Sequence, residues 1–194
     1  MRINALERRV ARRRPSSSRE TVALDLANTG SGGRDDLATP LKLAAWLERE
    51  RHVLPPADRD TGARLGRFLA LRGAIRELIA ARLAGVAPSG GAVDALNEAS
   101  ASAPSFPVIG RNWEGDRRPV SGDATGAILS AIARSAMELL GGSAGERVRE
   151  CAARGCGRFF VAARADRRWC SPACGNRSRV ARHYARARAR DAGP

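Results

Sequence analysis

The sequence predicts an α+β protein, with a mostly helical N-terminal domain containing a few antiparallel strands and a small treble-clef-like zinc finger behind it. Three observations carry this expectation. All four cysteines lie in the last quarter, spaced C-x4-C-x13-C-x3-C at Cys151, Cys156, Cys170 and Cys174. Upstream, several stretches repeat apolar residues at helical spacing, and only short runs alternate as strands do. The 194 residues suffice for one moderate core and an appendage, because a chain of this size buries roughly 70% of its unfolded surface.

Residues 1–19 hold seven Arg with several Ser and no apolar periodicity, and are expected to be a disordered arm. Over 21–26, Val22, Leu24 and Leu26 alternate, which predicts a short strand. Thr39-Pro40 reads as a hydroxyl cap followed by a proline in the first turn, starting a helix that runs to about Arg51 on Leu43, Trp46 and Leu47. A longer helix is predicted over 60–83, with Leu65, Phe68, Leu69, Ile75, Ile79 and Leu83 on one stripe and Gly85 as its stop. A short helix follows over 92–100, then a strand over 105–113 with a hairpin partner at 117–120. Residues 123–140 form the last helix of the body, with Ile128, Leu129, Ile132, Ala136 and Leu139 inward and Gly141-Gly142 at its end. The glycines at 141–145 mark a boundary between a body at 20–142 and a finger at 147–190.

Two close cysteine pairs joined by a loop place four thiolates around one tetrahedral centre, as a closed structural zinc site requires. Disulfides would need a secreted chain, but the N-terminus has no apolar leader core and no apolar run reaches membrane-spanning length. The expected location is therefore the cytoplasm, with reduced thiols, no membrane partner and one structural Zn2+ per chain. Unliganded cysteines or a redox dithiol are the alternatives. Within the finger, 158–161 and 167–170 are expected to pair as a hairpin carrying Phe159, Phe160 and Trp169 as a mini-core. A helix from 175 to about 190 should follow, with Cys174 at its positive end.

Charge is placed unevenly. The net charge is +14, and residues 147–194 contribute 13 Arg against three acids, residues 1–20 seven Arg against two, leaving the middle near neutral. Basic ends on a neutral body point to a polyanion. Arg177, Arg179, Arg182, Arg186 and Arg190 of the final helix are the candidates for binding it, with DNA the expected partner. RNA or a ribosome is the second reading, and a zinc-stapled protein-interaction module the third. No GxGxxG, Walker A, GxSxG or HExxH occurs, His52 and His183 are the chain's two histidines, and four cysteines leave no open metal position, so no enzyme is expected. The sole lysine among 34 basic residues, Lys42, suggests a GC-rich bacterial source.

In the long helix Arg72 and Arg76 fall inside the apolar stripe, where a buried guanidinium must be paired. Either Asp25 and neighbouring carboxylates satisfy them, or they line a pocket for a small anionic effector with Asp25 and Asn28 at its rim. A homodimer is a further candidate state.

Cys174-Gly175-Asn176-Arg177, directly after Trp169-Cys170-Ser171, resembles the signature of the CGNR zinc-finger family. Leu24-Asp25-Leu26-Ala27-Asn28-Thr29, residues 36–46, Leu71-Arg72 and Ala95-Leu96-Asn97 are similar to its N-terminal ABATE domain. The resemblance covers about residues 20 to 190 and implies a stress-induced bacterial transcription regulator. Members often have an Asp and a Ser or Thr after the phenylalanines, where this chain has Val161, Ala162 and Ala163. The four ligands are unaffected.

Overall fold

The computed structural model describes residues 21–191 apart from Asn112 and Glu114, so the arm expected over 1–19 lies outside the described residues. At the centre of the body is α1 (Val22–Asn28), a helix where a strand was expected. Ala23, Leu24, Leu26, Ala27 and Asn28 are all buried, so α1 is enclosed on most sides and the alternation of Val22, Leu24 and Leu26 marks no single face. The four Ala and Leu residues favour a helix, and Val22 is its one β-branched residue.

The helices α2 (Pro40–Glu50), α3 (Leu65–Ala84), α4 (Gly90–Ala101) and α5 (Ala124–Gly141) contribute to the same core, and α1 packs against α3 and α5. Local chemistry sets their ends. The Thr39 hydroxyl accepts from the Lys42 amide at 3.3 Å, with Pro40 in the first turn, and the Asp123 carboxylate accepts from the Gly126 amide at 2.6 Å. A 3₁₀ turn at Thr61–Arg64 leads into α3, which stops at Gly85, left-handed at φ 67°. The α3 stripe is rotated from the expected one: Phe68, Leu71, Ala74, Ile75, Leu78 and Ile79 are buried, and Leu83 is 39% exposed. In α5 the five expected positions are all buried.

Between α4 and α5, β1 (Ser105–Ile109) and β2 (Gly115–Pro119) form an antiparallel hairpin, Ser105 opposite Pro119 and Ile109 opposite Gly115. Among the described residues no helix is long and apolar enough to cross a membrane.

The finger consists of β3 (Val148–Glu150), β4 (Phe159–Val161) and α6 (Pro172–Asp191). Here the expected pairing is corrected. β4 pairs antiparallel with β3, Val148 opposite Val161 and Glu150 opposite Phe159, rather than with 167–170. The segment 167–170 is tied instead by the Ala152 amide donating to the Arg168 carbonyl at 2.9 Å. Val148 has an apolar side chain to bury, whereas the competing segment carries Arg167 and Arg168.

Successive side chains of β4 point to opposite faces. Phe159, with Val148, joins the core of the body, and Phe160 joins a second cluster with Cys151, Cys156, Cys174, Ala153 and Ala162, against which Trp169 packs. The expected mini-core is therefore divided, and its first phenylalanine welds the finger to the helices.

Candidate metal centre

Cys151 follows β3, and Cys156 lies in a turn between Gly155 (φ 70°) and Gly157 (φ 59°), left-handed conformations that side-chain-bearing residues adopt at a cost. This turn directs Cys156 back toward Cys151. Cys170 ends the intervening loop, and Cys174 lies in the first turn of α6, its amide bonded to the Ser171 hydroxyl at 3.3 Å.

The four Sγ atoms lie within 4.8 Å of one another. Cys156–Cys170, Cys170–Cys174 and Cys174–Cys156 are separated by 3.8, 3.6 and 3.7 Å. Zinc bound by sulfur at about 2.3 Å in a tetrahedron requires edges of about 3.8 Å, so the donor set fits that ion in type, number and spacing. Burial pushes the Cys156 and Cys170 thiols above their ordinary value. Burial acts the same way on Cys174, but hydrogen bonds with Ser171 and the neighbouring thiols outweigh it and hold that thiol low. A dication supplies what burial opposes, by stabilising all four thiolates together. The centre holds one structural zinc per chain.

Donors around the sulfurs complete it. The Cys170 amide lies 3.4 Å from Cys151 Sγ, and Arg177 Nη2 lies 3.6 Å from Cys174 Sγ. A Cβ on Gly175 would sit 3.4 Å from the Trp169 ring, so the indole rests on the backbone of α6. Asn176 accepts a hydrogen bond from Arg179.

The residues expected around an effector are found at the seam between body and finger. The Asn28 amide donates to the Phe159 carbonyl at 2.9 Å and accepts from the Phe159 amide at 2.8 Å, acting as a neighbouring strand would on the outer edge of β4. Arg76 donates to the Ala27 carbonyl at 2.8 Å and to the Ser31 hydroxyl at 3.1 Å, reaches the Gly157 carbonyl at 3.4 Å, and lies 4.9 Å from the Phe159 ring centroid. Arg72 makes a bidentate pair with Asp35 at 2.7 and 3.0 Å. The carboxylate on Arg72 is therefore Asp35, not Asp25, which lies in the first turn of α1. Sequence periodicity had no means of finding Asp35, a loop residue.

Hydrogen bonding from Arg72 holds the Asp35 carboxyl well below its ordinary value of 3.8, at about 2. A depressed acid adds stability above its unfolded value and loses it as pH falls through the folded one. Because Asp35 is 40% exposed, solvent screening leaves about 1 kcal/mol. Asp35→Asn is expected to cost that much in urea denaturation near neutral pH. The gap to wild type should then narrow as pH is lowered from about 4 toward about 2.

Of the expected nucleic-acid residues, Arg177, Arg179, Arg182 and Arg186 are exposed on α6, and the Arg190 side chain lies outside the described residues. Arg177 and Arg182 line a cleft of about 260 Å³ beside the metal centre, together with Arg154, Arg168 and Trp169. The Arg168 guanidinium lies 6.0 Å from the Trp169 ring centroid. Arg154 and Arg168 escaped the sequence reading. Their one signal was that each lies two residues from a ligand cysteine.

Compared with protein families, residues 20–143 match ABATE, described as "Putative stress-induced transcription regulator". Residues 147–187 match the CGNR zinc finger. Among curated proteins, none matches the chain.

Proposed function

The chain belongs to the ABATE family, with a CGNR zinc finger behind that domain, and from this membership we propose a transcription regulator that contacts DNA through the finger and α6. One observation carries the reading: Arg154 and Arg168 of the finger loops and Arg177 and Arg182 of α6 line one cleft beside the zinc centre. Arginine suits phosphate because its planar fork donates two parallel hydrogen bonds. Beyond the cleft, every α6 residue from Arg179 onward with a described side chain is exposed, so the basic helix stands clear of the body. The metal fixes its first turn and hence the direction in which it projects.

The role is non-enzymatic, since four sulfurs fill a tetrahedral shell and leave no place for an activated water. Trp169 in the cleft favours one alternative within the same chemistry, stacking of an unpaired base in single-stranded RNA or DNA.

If Arg177, Arg179, Arg182 and Arg186 each neutralise one phosphate, log K for duplex DNA falls against log[salt] with a slope of about −3.6 from these residues. Replacing all four by Ala in the zinc-loaded protein should weaken binding and flatten the slope by that amount. Adding Arg154→Ala and Arg168→Ala should flatten it by about 1.8 more. Salt titrations on duplex, single-stranded DNA and RNA check this. Equal affinity and slope for wild type and variants would show the basic helix to be a solvated face, and preference for single strands would assign the cleft to an unpaired base.

A further inference from the structure

Away from the zinc centre, a groove of about 1060 Å³ opens between α5, the β1–β2 hairpin and the residues that follow α2. Its floor is the face of α5 on which Ala127, Ala131 and Arg134 succeed one another at helical spacing, and small side chains leave that floor flat. Leu54, Pro55 and Pro56 form an apolar wall. Arg117 and Arg118 enter from the hairpin side.

The guanidinium groups are built into the groove. Arg134 is half-buried and donates to the hydroxyl of Ser130, which is itself buried and bonded to the carbonyls of Ser100 at 2.7 Å and Ala103 at 3.1 Å. Arg117 is oriented by Ser105, its Nε 3.1 Å from the hydroxyl and its Nη2 2.9 Å from the carbonyl. Of the two carboxylates among the described residues that line the groove, Asp123 is bound to Arg64 at 2.7 Å. Glu138 is exposed one turn beyond Arg134, and among the described residues no carboxylate lies within ion-pair distance of Arg134. Burial lowers the pKa of Arg134, and the Arg117 charge lowers it further while Glu138 opposes. Arg134 and Arg117 both line this partly apolar groove, and a carboxylate entering it would gain charge-assisted hydrogen bonds from guanidinium N–H donors.

We propose that this groove binds a small organic acid, its carboxylate seated on Arg134 and Arg117 and its apolar body lying along Ala127, Ala131 and the wall of Leu54, Pro55 and Pro56. The size of the groove matches sites for drug-sized molecules, which combine apolar walls with a few placed polar groups. The site is separate from the seam of Asn28, Arg72 and Arg76, where internal pairing and an effector pocket were the two readings and where both arginines bond to groups of the chain itself. It does not depend on the finger's binding DNA.

The test is calorimetric titration of the full-length, zinc-loaded protein with octanoate, decanoate and naphthoate, each against the amide with the same body. At least one acid should bind, and its amide should bind at least about tenfold more weakly, since the amide loses the charge-assisted bonds. Arg134→Gln and Arg117→Gln should each remove the preference for acid over amide. Because Arg134 also touches buried Ser130, Ala131→Leu provides a second route: it fills the floor, leaves the charges in place, and should weaken acid and amide alike. Arg149→Gln, at the finger, should change nothing. The proposal is overturned if no acid binds, if acid and amide bind equally, or if the acid binds all three groove variants as it binds wild type.

Discussion

Removal of zinc by a chelator, or Cys170→Ser, is expected to unfold residues 147–190 and to destabilise the helical body as well. The apparent binding free energy of structural zinc in small fingers is on the order of 10 kcal/mol, so the finger has no folded state without it. Judged by its own apolar stripes the body would be indifferent to this loss. The packing argues otherwise, because Val148 and Phe159 of the finger strands are 1% and 4% exposed within the body's core. Uncovering two such side chains forfeits about 1.5–3 kcal/mol each, a large share of the 5–15 kcal/mol typical of a whole domain. Elemental analysis should find one zinc per chain, and urea titrations followed by circular dichroism should show a lower midpoint for the body in chelator than in zinc. An unchanged midpoint would mean that the two parts fold independently despite their shared core.

The second large effect is expected at Asn28. Its side chain closes a two-bond ring with the backbone of Phe159, 131 residues away, and all these groups are buried. Asn28→Ala leaves an amide and a carbonyl without partners at about 1–3 kcal/mol each, hence a loss of about 3 kcal/mol from a residue that looks like an ordinary polar position at a helix end. Asn28→Asp should be worse near neutral pH, because a carboxylate can accept from the Phe159 amide but repels the Phe159 carbonyl. Acidification should restore part of that loss, since the protonated acid donates to the carbonyl, and a wild type lacks this recovery at position 28. If Asn28→Ala matches wild type in urea, the seam carries no net stability.

What could be read in advance was local. Thr39-Pro40, Asp123 and Gly85 act on backbone groups within one helical turn, so their identities locate the helix ends they set. The cysteines were legible because the ligand atoms are themselves the signal. Elements decided by distant partners were not. α1 is a helix because it is enclosed by other helices, which no alternation of Val22, Leu24 and Leu26 encodes. β4 chose β3 across the cysteine turn because Val148 and Phe159 had a core to enter, and that core lies in another part of the chain. Arg72 and Arg76 were recognised as needing partners, but the partners, Asp35, Ala27, Ser31 and Gly157, are largely backbone and loop groups without periodicity.

The exposure of α6 beyond Arg179 has a thermodynamic consequence. Its outer residues with described side chains are all exposed, and a segment of about a dozen residues without tertiary packing is only marginally helical in water. Arg182, Arg186 and Arg190 repeat at four-residue spacing, so repulsion acts against the helix at low ionic strength. Added salt should therefore raise the ellipticity of this segment while weakening its hold on a polyanion, so that helix content and affinity move in opposite directions along one salt series. Adsorption to a polyanion neutralises the same repulsion, so the outer turns should wind further as it binds. The entropy of that winding would appear as a more negative binding entropy than a preformed rod would show.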